Sequence, residues 1–164
     1  MTTLQSVVRR RRAVAAAGAV SAGLLVLSAC DKPTPIATIT VGTSSVSEEA
    51  TCGGGDETLK TEDLTACLKD TDIKSLTVDP DKTVRIGVDP EIADKRWSIL
   101  MNGQPITDDF DKTYQEIPGS VFFNAQYGAQ GNSTLVSIKA GDGEKGGEAV
   151  TGLWSFKLKK EDED

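Results

Sequence analysis

The 164-residue sequence contains no histidine. That absence removes the Ser-His-Asp and Cys-His arrangements, because each needs an imidazole beside its nucleophile. With only three cysteines and no Cys-x-x-Cys, the chain is also short of soft ligands for zinc. No serine stands in a Ser-x-x-Lys pattern, and Ser137 and Lys139 alternate as ordinary strand decoration. Gly141, Gly143 and Gly146 have the spacing of a phosphate-binding loop, yet they lie in an acidic stretch between strands that would repel phosphate and opens no helix. Internal repeats are lacking. No cofactor is expected, and these gaps together disfavour an enzyme.

What is present begins with the amino terminus. Residues 1–29 hold four arginines, Arg9 to Arg12, and no acidic residue, followed by an apolar small-residue run from Ala13 to Ala29. A charged region, an apolar region and a small-residue end are the parts of a secretory signal. The run is at the short edge of what spans a bilayer as a helix. The segment Leu27-Ser28-Ala29-Cys30 resembles the lipobox of bacterial lipoproteins. The resemblance implies a diacylglyceryl group on the Cys30 sulfur and cleavage between Ala29 and Cys30. A permanent signal anchor, or cleavage after Ala29 by ordinary signal peptidase, are the competing readings. The export route, general or twin-arginine, stays open, although the arginines lack the flanking residues of the twin-arginine pattern.

If Cys30 carries lipid, Cys52 and Cys67 remain as an even pair, which outside the cytoplasm reads as a disulfide. It would close a loop of about 15 residues, worth about 3 kcal/mol in unfolded-chain entropy. Charge sharpens too. Removing 1–29 takes four of the 18 basic residues and none of the 25 acidic ones, leaving a net charge of −11. Such a domain is not expected to bind nucleic acid, which requires clustered Lys and Arg. An anionic membrane surface repels it, so a lipid would be needed to hold it there.

Residues 30–35 form a short tether with two prolines, reaching about 20 Å when stretched. Residues 36–160 then alternate with period two. Ala37, Ile39 and Val41 are followed by Leu76 and Val78, the turn Asp79-Pro80-Asp81, and Val84, Ile86 and Val88. Trp97, Ile99 and Met101 end at Asn102-Gly103, a hairpin signal because both positions take positive φ. Phe123, Ala125 and Tyr127 read as another strand, then Val136 and Ile138. The last runs through Val150, Gly152, Trp154, Phe156 and Leu158. Only residues 61–70 read as helix, with Thr61 as N-cap and Glu62 and Asp63 in the first turn. The pattern predicts an all-β chain, an antiparallel β-sandwich of about seven strands with an immunoglobulin-like architecture. Its disulfide would pin an early loop or edge, since both cysteines precede Trp97. Trp97 and Trp154 are expected in the core, and residues 161–164 form an acidic tail.

Asp108, Asp109 and Asp111 cluster in a turn and are the one calcium candidate set there, with Asp142 and Glu144 as a second pair; neither has the Asp-x-Asp-x-Asp-Gly spacing. Asn132-Ser133-Thr134 is a formal glycosylation sequon, without meaning in a bacterial host.

The arginine-rich leader, the lipobox, the threonine-rich first strand and the stretch from Asp79 to Gly103 resemble a family of uncharacterised actinobacterial lipoproteins that share a domain of unknown function. The resemblance spans nearly the whole chain and implies a location, the outer face of the cell membrane, rather than an activity. The strand Lys82 to Val88 with Trp97 is similar, more loosely, to chagasin-type inhibitors of cysteine proteases. There the family's Asn-Pro-x-Thr-Gly loop is replaced by Asp89-Pro90-Glu91-Ile92-Ala93, and its Arg-Pro-Trp loop is missing. Three functions are therefore weighed: a membrane-anchored, non-catalytic binding or assembly module contacting an envelope protein or cell-wall component, a protease inhibitor, and an unrecognised enzyme.

Overall fold

A computed structural model describes residues 34–70, 72–141 and 149–162. Ala29, Cys30, Asp142 and Glu144 lie outside the described residues. Alternation of apolar and polar side chains puts one face of each principal strand inward. In β1 (Ala37–Val41), Ala37, Ile39 and Val41 are buried while Thr38 and Thr40 lie on the other face. The same phase holds in β5 (Thr83–Val88), with Val84, Ile86 and Val88 buried.

The first sheet has the order β2 (Ser44–Glu48), β1, β5, β8 (Tyr114–Pro118), all antiparallel. The second is built on β6 (Trp97–Met101), β9 (Ser133–Ala140) and β10 (Gly152–Lys160), antiparallel neighbours in the order β10, β9, β6. The two-residue β7 (Gln104–Pro105) extends it beyond β6. The far edge of β10 is covered twice. β3 (Cys52–Gly53) pairs antiparallel with its start, and β4 (Ser75–Val78) pairs parallel with its end. With β1, β5 and β8 as strands A, B and E, and β6, β9 and β10 as C, F and G, these six strands have the neighbour order of an immunoglobulin-like sandwich. β2 is added outside A, and among the described residues no strand takes the place of D beyond β8.

The inner faces meet in one apolar core that includes Ile39, Ile86, Trp97, Ile99, Ile138, Trp154 and Phe156. Trp97 and Trp154 are core residues, as their strand phase implies. Trp97 also donates from its ring N–H to the Lys112 carbonyl at 2.7 Å, and its ring meets Phe110 at 5.0 Å between centroids. Gly152 keeps the alternation without a side chain because Trp154 needs the room. A Cβ there would lie 2.6 Å from the Trp154 ring.

Several local expectations change. Phe123, Ala125 and Tyr127 do not form a strand; they lie in or beside two 3-10 turns, Gly119–Phe123 and Ala125–Tyr127. A second helix, α2 (Pro90–Asp94), follows β5, with Asp89 before it and proline at its first position. The first helix, α1, covers Thr61–Cys67, and Lys60 rather than Thr61 is its N-cap. The strands β2 and β8 add to the expected set. Each buries few apolar side chains, so the alternation that marks the other strands is weak in them.

Candidate functional site

The strand registers place the loops at two poles. At one pole the chain enters: the Pro35 carbonyl accepts the Trp154 ring N–H at 2.9 Å, and the Ile36 N–H donates to Asp89 at 2.8 Å. The helix α2 and Gly141 share this pole, since Gly141 N–H bonds the Arg96 carbonyl at 3.0 Å. The opposite pole carries the turn at Asp79–Asp81, the β6–β7 hairpin and the connection from β8 to β9. Gly119 packs there against the Asp79 and Lys82 carbonyls, and Thr134 donates to the Phe122 carbonyl at 2.6 Å.

A cleft of about 440 Å³ opens near this far pole, lined by Gln104, Pro105, Ile106, Gln126, Tyr127 and Gly128. Its walls are built by turn chemistry. Asn102 and Gly103 take φ of 49° and 80°, the left-handed backbone that closes the β6–β7 hairpin. The Asn102 amide then leaves its own hairpin: Nδ2 donates to the Gly128 carbonyl at 2.8 Å, and Oδ1 accepts the Leu135 N–H at 3.1 Å. On the other wall, Asn124 Oδ1 accepts the Gln126 N–H at 2.9 Å, and the Asn124 carbonyl accepts the Tyr127 N–H at 3.0 Å. Gly128, with φ of 88°, ends that turn. Tyr127 is 49% exposed. Among the described residues, no hydrogen bond engages its hydroxyl or the side-chain amides of Gln104 and Gln126.

Two further clefts are charged. One, of about 390 Å³, is lined by Asp79, Pro80, Asp81, Lys160, Glu161 and Asp162, and the other by Ile36, Ser47, Glu48, Glu49 and Lys74. In the first, the Asp81 N–H and the Lys82 ammonium hold the Asp79 carboxyl below its ordinary value. On the outer face of the first sheet, Tyr114 donates to Glu116 at 2.5 Å while Arg85 reaches the same oxygen at 3.2 Å. The Tyr114 hydrogen bond, then that from Arg85, lowers the Glu116 carboxyl; the bond to Glu116 raises the Tyr114 phenol.

Cys52 and Cys67 are joined as a disulfide, with Cα atoms 6.1 Å apart. It ties α1 to β3 at the edge of the second sheet. Cys67 packs with Leu100 and Leu153, joined by Leu64 and Leu68, in a small cluster apart from the main core. Ser137 and Ser155 hydrogen-bond to each other at 3.0 Å and are buried.

Asp108, Asp109 and Asp111 are exposed around Phe110, whose backbone pairs with Trp97. Among the described residues no three Asp, Glu, Cys or His side chains form a group that could hold a metal ion. The stretch from Asp89 to Ala93, which takes the place of the inhibitor loop, enters α2 with Ile92 and Ala93 buried. Among the described residues no helix is long and apolar enough to cross a membrane.

The cleft residues Gln104, Gln126 and Tyr127 were not legible as a site, because they come from two segments more than twenty positions apart. The glycines at 128 and 131 mark a loop locally, but nothing local says which hairpin the loop meets. Compared with family models, curated proteins and solved structures, the chain matches none.

Proposed function

We propose that the chain is a lipoprotein, cleaved before Cys30 and anchored by lipid to the outer face of the cell membrane, whose sandwich is a non-catalytic binding module. The observation that carries this reading is the division of the two poles. Pro35, the last residue of the tether, is clasped at one pole by Trp154. The cleft with unengaged polar side chains lies toward the other. Cleavage before Cys30 would leave only residues 30–35, a reach of about 20 Å, between the lipid and the first pole, so the second pole is the one left to meet wall components and envelope proteins. The inhibitor reading has less support, because the segment in place of its loop is a short helix at the tether pole with two side chains buried.

Two experiments test the two halves. Replacing Cys30 by Ala should leave an unprocessed precursor and abolish incorporation of labelled fatty acid; a variant still processed, with no lipid on the wild type, refutes the anchor. For the module, a photo-crosslinking residue at Gln130, exposed two positions after Gly128 of the cleft, should capture a defined partner in intact cells, and one at Asp94 should not. Capture at both sites of the same abundant neighbours refutes it.

A further inference from the structure

The cleft between the β6–β7 hairpin and the Ala125–Tyr127 turn has a composition unlike the rest of the surface. Of the 164 residues, 26% are charged, and the two other clefts described above are lined by carboxylates and lysines. This one has no charged residue among the six that line it. It therefore has neither a cation to fix a phosphate or carboxylate nor an anion to fix an amine or a metal ion. What it offers is one half-exposed aromatic side chain, the aliphatic surfaces of Pro105 and Ile106, and two free carboxamides.

We propose that this cleft is a saccharide site that takes a neutral hexose-type ring of a polysaccharide, a proposal that rests on reading the chain as a binding module. Each face of the ligand matches something present. A pyranose ring presents axial C–H groups on one face, which pack on an aromatic face, and Tyr127 is the aromatic residue of the cleft. Around its rim the ring carries adjacent hydroxyls, each of which both donates and accepts. A carboxamide supplies two donors and an acceptor within one planar group, so Gln104 and Gln126 can satisfy such pairs without burying a charge. At about 440 Å³ the cleft is within the range of about 300–1,000 Å³ usual for small-molecule sites.

The walls are also set before a ligand arrives. Tyr127 and Gln126 sit in a turn capped by Asn124 and Gly128, and Asn102 fixes that turn to the hairpin bearing Gln104. Ordering costs on binding are correspondingly reduced. A proline-rich peptide is the competing occupant for an aromatic surface. Its recognition depends on a groove lined by several aromatics, and here Tyr127 is the single aromatic lining residue.

The test is a titration of the full chain, purified in detergent, with short linear oligomers of glucose, mannose, galactose and N-acetylglucosamine, followed by calorimetry. At least one series should bind. Tyr127→Ala and Gln126→Ala should each weaken it by about tenfold, while Tyr127→Phe, which keeps the ring, should stay within about twofold of the wild type. Both positions are on the surface, and unchanged thermal midpoints will show that the three variants fold. The proposal is overturned if no series binds, if binding survives Tyr127→Ala unchanged, or if a proline-rich peptide binds there and the sugars do not. A protein partner captured through Gln130 without any sugar binding would overturn the saccharide site and leave the binding-module reading standing.

Discussion

The Asn102 side chain donates to the carbonyl of Gly128 at 2.8 Å, joining the β6–β7 hairpin to a turn 26 residues further along the chain. One amide thus serves two purposes. Its backbone supplies the positive φ of a hairpin, and its side chain fixes the geometry of the neighbouring cleft.

These purposes separate by substitution. Asn102→Gly keeps the backbone conformation and removes only the side-chain bridge, so it should cost about 1–2 kcal/mol. Asn102→Ala also strains the left-handed backbone and should cost about 1 kcal/mol more. Denaturant midpoints of the two variants measure the difference. Amide exchange at Leu135, whose N–H loses its Asn102 acceptor, should quicken in both.

Gly152→Ala should be destabilising although Gly152 lies in a strand, where alanine is ordinarily tolerated. The new methyl would stand 2.6 and 2.7 Å from two Trp154 ring atoms, and relief requires moving a fully packed indole. A loss of about 1–3 kcal/mol is expected, together with a change in Trp154 fluorescence and weaker protection of its ring N–H, which bonds Pro35. An unchanged midpoint would show that the ring has another rotamer available.

Removing the Cys52–Cys67 bridge should lower stability by about 3 kcal/mol, as expected from a loop of 15 residues. Reductant should shift the wild-type midpoint by a similar amount and leave the Cys52→Ser/Cys67→Ser double variant unmoved. Because α1 covers Leu100 and Leu153, amides of α1 should lose protection before those of β9 do.

The Tyr114–Glu116–Arg85 group gives a pH signature. The Glu116 carboxyl is held low, first by Tyr114 and then by Arg85, so its contribution is present above the usual carboxylate range and lost as pH falls through its lowered value. The Tyr114 phenol is raised by Glu116. Its contribution is therefore present below about pH 10 and lost as pH rises through the raised value. Carboxyl NMR should show Glu116 titrating below the other exposed glutamates, and Tyr114→Phe should move it back toward them. If Glu116 titrates with the rest in the wild type, the hydrogen bond is not formed in solution.

Sequence alone determined the class of fold and most of its core. The runs Ala37–Val41 and Val84–Val88 alternate because a sheet face is buried by every second residue, and that relation is local, whereas Trp97–Met101 keeps the apolar spacing on its inner face but is buried on both faces. Turns at Asp79-Pro80 and Asn102-Gly103 were equally readable, since each needs a backbone conformation that only certain residues take. The same logic failed where burial did not follow the local period. Phe123, Ala125 and Tyr127 have a strand's spacing but fold as 3-10 turns, held by Asn124. β2 and β8 alternate little because they are edge strands with few buried side chains. α2 has its Asp-Pro start but, at five residues, is too short to show a helical period.

Only the tertiary structure decided which strands share a sheet. The Asp79-Pro80 turn separates β4, paired parallel to β10, from β5, paired to β1 in the other sheet, and a turn's residues do not record whether the chain pairs back or crosses over. Only the tertiary structure, likewise, brought Gln104 and Gln126 to one cleft and sent Pro35 to the opposite pole. Local propensity is set by a residue and its near neighbours, whereas a site is set by registers between strands distant in sequence.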